Sequence, residues 1–153
     1  MKTLLVLGAG TAGTMAARKM ASKLDSREWK VILVDSSERH YYQPGLLFVP
    51  FGMYKPEDVV RPTRSFVPRN VELIFARIEL IEPDANRVKL SGDRVISYDY
   101  LIVATGCDIH PEETEGMMDG WRQNVHEFYT YDGAVALTQQ LQAFLCSQFH
   151  QFG

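Results

Sequence analysis

With 153 residues, 46% of them hydrophobic and 23% charged, the chain is one domain of ordinary size with enough apolar content for a core. A net charge of -3 argues against nucleic acid as a partner, and no run approaches the ~20 apolar residues of a bilayer span, so any membrane attachment is expected to be peripheral. Two cysteines, Cys107 and Cys146, are too few for a disulfide framework; the short apolar start does not resemble a secretory signal, and a cytoplasmic location is expected.

The first element is a continuously apolar run, Leu4 to Leu7, that reads as a buried strand. It enters Gly8, Gly10 and Gly13 and then alanine-rich helical sequence ending near Leu24, with Ala12, Ala16, Met20 and Leu24 at four-residue spacing as the expected sheet-facing stripe. A second apolar strand, Val31 to Val34, ends in Asp35, 22 positions after Gly13. This parallel βαβ unit has the pattern of a dinucleotide-phosphate cradle. Gly8 permits the turn out of the strand, Gly10 lets the backbone approach a pyrophosphate, and Gly13 lets helix and strand pack closely. The free N–H groups at the start of the helix, around Thr11 and Ala12, face the anion. A carboxylate at Asp35 accepts hydrogen bonds from both ribose hydroxyls and repels a 2′-phosphate, which favours FAD or NAD over NADP. The alternative is an ordinary α/β protein with a glycine-rich turn.

From Ser36 to Asn70 the chain carries Pro44, Pro50, Pro56, Pro62 and Pro68 with aromatic residues between them. No other residue type follows that period, so the stretch reads as a long excursion with short helices at most, and such ordered loops usually carry function. Val71 to Phe75, Ile78 to Ile81, Arg87 to Leu90 and Val95 to Tyr98 then read as an antiparallel meander, with turns at Pro83-Asp84-Ala85-Asn86 and Ser91-Gly92-Asp93. Leu101 to Ala104 is a buried strand returning to the parallel sheet and ending in Thr105-Gly106. An acidic loop follows, then a helix from near Asp132 with Ala134, Leu137, Leu141 and Leu145 along one face and Gln139, Gln140 and Gln142 on the other. Residues 146–153 show no strand pattern, and no second glycine-rich βαβ unit is present.

Four blocks carry a family resemblance. They are the GAGTAG turn (8–13) with Asp35, the segment from Tyr41-Tyr42-Gln43-Pro44-Gly45 to Gly52, the run Tyr98 to Val103 ending in Ala104-Thr105-Gly106, and Pro111-Glu112-Glu113-Thr114-Glu115-Gly116-Met117. The chain resembles, from residue 1 to about 145, the N-terminal part of the sulfide:quinone oxidoreductases, flavoproteins of the pyridine nucleotide-disulfide oxidoreductase superfamily. The resemblance implies a Rossmann-like α/β FAD-binding parallel sheet with an antiparallel meander, one part of a flavoprotein with two dinucleotide-binding domains, over residues 1–145, followed by an unmatched tail (146–153). It implies FAD as cofactor, sulfide and quinone as substrates, and peripheral contact with the inner membrane in the full-length family. Its FAD candidates here are Gly8, Gly10, Thr11, Ala12, Gly13, Asp35, Pro44, Gly45, Ala104, Thr105 and Gly106, with Pro44 and Gly45 beside the flavin ring. Many members carry a redox cysteine where this chain has Tyr129, and the family continues into a second domain, so the isolated chain is expected to be inactive.

No catalytic residue is assigned. Cys107 is expected to be a small buried residue at a strand end rather than a redox thiol. His40, His110, His126 and His150 are at least 16 residues apart, without metal-ligand spacing, and read as surface or loop residues with no metal site. Glu112, Glu113 and Glu115 read as a solvated acidic loop. The rival functions are a type-2 NADH:quinone dehydrogenase-like fragment and a non-catalytic nucleotide-binding or truncation product that self-associates through its uncovered sheet.

Overall fold

A computed structural model describes residues 1–149, with side chains through residue 146. In chain order the elements are β1 (Lys2–Leu7), α1 (Thr11–Lys23), β2 (Trp29–Asp35), β3 (Arg39–Tyr41), β4 (Val60–Pro62), β5 (Val71–Phe75), β6 (Ile78–Glu82), β7 (Arg87–Leu90), β8 (Arg94–Ser97), β9 (Tyr100–Val103) and α2 (Tyr131–Phe149), with short 3-10 turns between them. They fall into two units. One comprises Met1–His40 and Pro62–Gly106, the other Tyr41–Arg61 and the chain from Cys107 onward.

The first unit is built on a parallel sheet in the order β5-β2-β1-β9. Strands β1 and β2 are apolar on consecutive residues because both faces are covered, whereas β9, expected to be buried, is an edge strand with Tyr100 and Val103 exposed and Leu101 and Ile102 half-buried. Leu4 and Val6 of β1, Val31 and Leu33 of β2, and Val71 and Leu73 of β5 cluster with Ala17 and Ala21 of α1. Their alternates, Leu5, Leu7, Ile32, Val34 and Ile74, cluster with Val88, Leu90 and Ile96 of an antiparallel sheet formed by β6, β7 and β8. Register follows the same alternation, with Leu4 opposite Val31 and Val31 opposite Val71. Helix, parallel sheet and meander therefore form three layers, and each fully buried leucine contributes about 2 kcal/mol of transfer free energy.

Three expectations need correction. Val71–Phe75 is not part of the meander: it is the outer parallel strand beside β2. Val71, Leu73 and Ile74 are all buried because this strand also has both faces covered, and a short apolar run does not reveal whether its partner is parallel or antiparallel. The meander has three strands, and its tight connections carry the expected left-handed residues, Asn86 (φ 48), Gly92 (φ 76) and Asp93 (φ 58). The buried stripe of α1 runs through Gly13, Thr14, Ala17 and Ala21, not Ala12 and Ala16. A strict four-residue repeat drifts around a helix of 3.6 residues per turn, so Met20 and Leu24 flank the core while Ala12 is exposed. Finally, β9 ends at Val103, and the Ala104 N–H carries the ladder one bond further, to the Leu7 carbonyl at 2.7 Å.

The second unit packs Leu46, Val49, Val59 and Ala134 into a small core, with Tyr131 alongside and stacked on Tyr41 at 5.3 Å. Prolines start its 3-10 turns, Pro44 in Gln43–Phe48 and Pro56 in Pro56–Val59, where the missing N–H costs nothing. Thr130 caps α2: its hydroxyl oxygen accepts the Gly133 N–H at 3.0 Å, while the Glu127 carboxylate accepts the Thr130 N–H at 2.9 Å. Ala134, Leu137 and Leu141 follow the expected face, but Leu145, expected on it, is exposed, as are Gln139, Gln140 and Gln142. Strands β3 and β4 pair as a ribbon that the sequence did not suggest. Among the described residues no helix is long and apolar enough to cross a membrane.

Candidate functional site

At the carboxyl end of β1 the chain turns through Gly8, whose φ of 93° favours glycine and whose N–H donates to the Val34 carbonyl at 2.8 Å. A β-carbon here would collide with the Ala104 carbonyl, and one at Gly13 would collide with the Gly8 carbonyl, so turn, helix and β9 end meet backbone to backbone. Gly10 differs. It is the N-cap of α1 in extended conformation, and no atom lies within 4 Å of where its β-carbon would stand. The first helical bond runs from the Thr14 N–H to the Gly10 carbonyl at 3.0 Å. The N–H groups of Thr11, Ala12 and Gly13 therefore precede the helical ladder, with neither a capping side chain nor an acidic residue in the first turn.

The turn is held from the β2 side. One oxygen of Asp35 accepts the Ala9 N–H at 2.5 Å and the other accepts the Ser37 N–H at 2.7 Å. His40 Nδ1 lies 2.9 Å from the Ala9 carbonyl, and its ring packs on Phe66 at 4.4 Å. Both backbone groups of the buried Ala9 thus end on side chains from the end of β2 and from β3. A cleft of about 290 Å³ opens beside this arrangement, lined by Gly8, Asp35, Ser36, Arg77, Ile78 and Thr105. Ala104 lies against the turn, and Gly106 (φ 79) has open space around it.

Residues 2–146 match the family model of the pyridine nucleotide-disulphide oxidoreductases. The chain belongs to this family. FAD, the cofactor expected from the sequence, is the cofactor of these flavoproteins. The chain is similar to the mitochondrial sulfide:quinone oxidoreductase of Mus musculus, at 35% identity over 118 residues, covering 77% of this chain and 26% of that protein. It is also similar to a type II NADH:quinone oxidoreductase of Staphylococcus aureus, at 31% identity over 119 residues, covering 77% of this chain and 29% of that one. The solved structure of the sulfide:quinone oxidoreductase of Aquifex aeolicus superposes with a TM-score of 0.81 at 27% identity, covering 95% of this chain and 33% of its own. The chain thus spans about a quarter to a third of the length of these relatives, and it resembles their N-terminal part.

The flavoprotein cofactor's adenosine diphosphate portion fits the residues present. An open glycine and a helix N-terminus without a capping side chain could hold a diphosphate, and Asp35 keeps an unused lone pair on each oxygen that ribose hydroxyls could use. Of the candidate residues, Gly8, Gly10, Thr11, Ala12, Gly13, Asp35, Ala104, Thr105 and Gly106 share the first unit. Pro44 and Gly45 lie in the second, inside the 3-10 turn Gln43–Phe48. Gly45 has a packing reason of its own, since a β-carbon there would press on Val59 and Tyr42.

Cys107 is exposed, not buried as expected: β9 ends four residues earlier and leaves it in a loop. Tyr129 is also exposed, and its hydroxyl donates to the Cys107 carbonyl at 3.3 Å. His40 is half-buried against the turn rather than a plain surface residue. His110 pairs with Glu112 at 2.8 Å; the carboxylate raises the imidazole pKa and the imidazole lowers that of the carboxyl. His150 lies outside the described residues. Ser36, Arg77 and Ile78 of the cleft lining, and His40 on the Ala9 carbonyl, are the residues that sequence reasoning missed, and none belongs to a local pattern that would have marked it.

Proposed function

We propose that the chain is the FAD-holding part of a flavoprotein oxidoreductase of the sulfide:quinone type, with sulfide as electron donor and a quinone as acceptor. One observation carries the reading of the site: Ala9 is pinned at both backbone groups by Asp35 and His40, while the neighbouring Gly10 stays open. That combination gives a rigid turn with room for an anion against it. In this reading Gly8, Gly10 and the N–H groups of Thr11, Ala12 and Gly13 hold the diphosphate. Asp35 holds the ribose, and Ala104, Thr105 and Gly106 close the far side of the turn. Pro44 and Gly45 are assigned to the flavin side by the family resemblance. When bound, FAD supplies a relay for two electrons between donor and acceptor. The complete protein would meet its quinone at a membrane surface, by peripheral contact.

The 35% identity to the mouse relative supports sulfide as donor. A second reading, NADH as donor, is supported by the Staphylococcus aureus relative. The chain covers a third or less of these relatives, and we propose that alone it does not turn over.

The test is an absorbance spectrum of the purified chain after incubation with excess FAD and removal of the unbound fraction. Flavin bands at about one per chain are expected, and no retained flavin overturns the reading. Bleaching of those bands by sulfide but not NADH selects the first donor, and the reverse selects the second. Sulfide-dependent quinone reduction by the 153-residue chain would overturn its proposed inactivity.

A further inference from the structure

Arg77 lines the 290 Å³ cleft together with Asp35, yet its guanidinium has no hydrogen-bond or ion-pair partner among the described residues and forms no ion pair with Asp35. A planar, always charged group left unpaired in a cleft is available to a ligand. Its place in the sheet decides which part of the ligand it meets. The phosphate turn follows β1, Asp35 ends β2, and Arg77 follows β5, in a sheet whose order is β5-β2-β1. The Ala76 N–H donates to the Asp35 carbonyl at 2.8 Å, which fixes the backbone before Arg77 against the end of β2. Two strand spacings, about 9.6 Å, separate the end of β1 from the end of β5. A dinucleotide with its diphosphate on the Gly10 turn and its ribose on Asp35 therefore carries its base onward towards Arg77, beyond the reach of its own phosphates. Ile78, half-buried on the sheet, gives the cleft an apolar wall beside the guanidinium.

We propose that Arg77 is the base platform of the dinucleotide site, its guanidinium lying flat on the adenine ring beside the Asp35-bound ribose. The inference rests on the FAD reading above. Stacking of a guanidinium on an aromatic face needs the planar group and not the charge alone, so lysine is a poor replacement.

The experiment titrates the full chain, wild type, Arg77→Ala and Arg77→Lys, with FAD, with ADP and with ribose 5-diphosphate, which keeps the anion and sugar but lacks the base. Binding is followed by flavin fluorescence for FAD and by calorimetry for the other two. Arg77 is exposed and its side chain is unpaired, so both variants should melt with the wild type. Arg77→Ala is expected to weaken FAD and ADP about five- to tenfold; Arg77→Lys should recover little of this, and ribose 5-diphosphate should bind all three proteins equally. Equal losses for ADP and ribose 5-diphosphate, or full recovery with lysine, would mean a phosphate contact and overturn the proposal. Unchanged FAD binding by Arg77→Ala overturns it while leaving the FAD reading intact. A wild type that binds neither FAD nor ADP overturns both.

Discussion

The Asp35 carboxylate accepts the Ala9 N–H at 2.5 Å, so the side chain read as a ribose acceptor is also a strut of the glycine turn. Its second oxygen holds Ser37 in the same way. Asp35→Ala leaves both backbone donors without their acceptor, and Ala9 is too buried for water to replace it freely. A loss of about 2 kcal/mol in a urea unfolding curve is expected, together with at least about a tenfold loss in FAD affinity.

Two glycines of the turn, Gly10 and Gly13, should separate by phenotype. A β-carbon at Gly13 runs into the Gly8 carbonyl, while one at Gly10 meets nothing. Gly13→Ala should therefore destabilise the chain by about 1–3 kcal/mol or prevent folding. Gly10→Ala should melt with the wild type and still lose FAD, because its methyl group stands where the diphosphate would approach. Thermal melts and flavin retention on the two variants check this, and FAD binding by a well-folded Gly10→Ala would count against the cradle.

His40 is expected to act on the turn from a distance. His40→Ala removes the contact to the Ala9 carbonyl and the ring packing on Phe66. Unfolding measurements should show a loss of about 1–2 kcal/mol. Because His40 and Asp35 hold the two backbone groups of one residue, the double variant with Asp35→Ala should lose less than the sum of the two single changes.

A pH effect is expected at the His110 and Glu112 pair. Glu112 raises the His110 pKa, so the histidine's contribution to stability is full below its ordinary value and is lost as pH rises through the raised one. The lowered pKa of Glu112 works in the other direction, with its contribution lost as pH falls through the depressed value. The pair is therefore favourable only between those two values. Both groups are exposed, which keeps the effect small. An NMR titration should find His110 titrating above the ordinary histidine value, and Glu112→Gln should bring it back down.

Much of the first unit was legible because its signals are local. An apolar strand, three glycines and an acid at the next strand end are each read within a few residues, and steric need at Gly8 and Gly13 leaves no other residue in place. The turns at Asn86 and Gly92 were legible for the same reason, whereas the Thr130 cap of α2 emerged only from its hydrogen bonds. The burial of Cys107 was misjudged, because the sequence marks a strand end only to within a residue or two and does not say which way the following loop runs.

By itself, then, the amino-acid sequence determined the βαβ unit and its glycine turn, since both follow from hydrophobic period and backbone sterics along a short stretch. Only the tertiary structure decided that Val71–Phe75 joins the parallel sheet, that His40 turns back onto Ala9, and that Arg77 stands beside Asp35. These pairs are separated by 31 to 42 positions in the chain. Parallel pairing and a shared cleft depend on where whole elements come to rest, and that leaves no mark in the local order of residues.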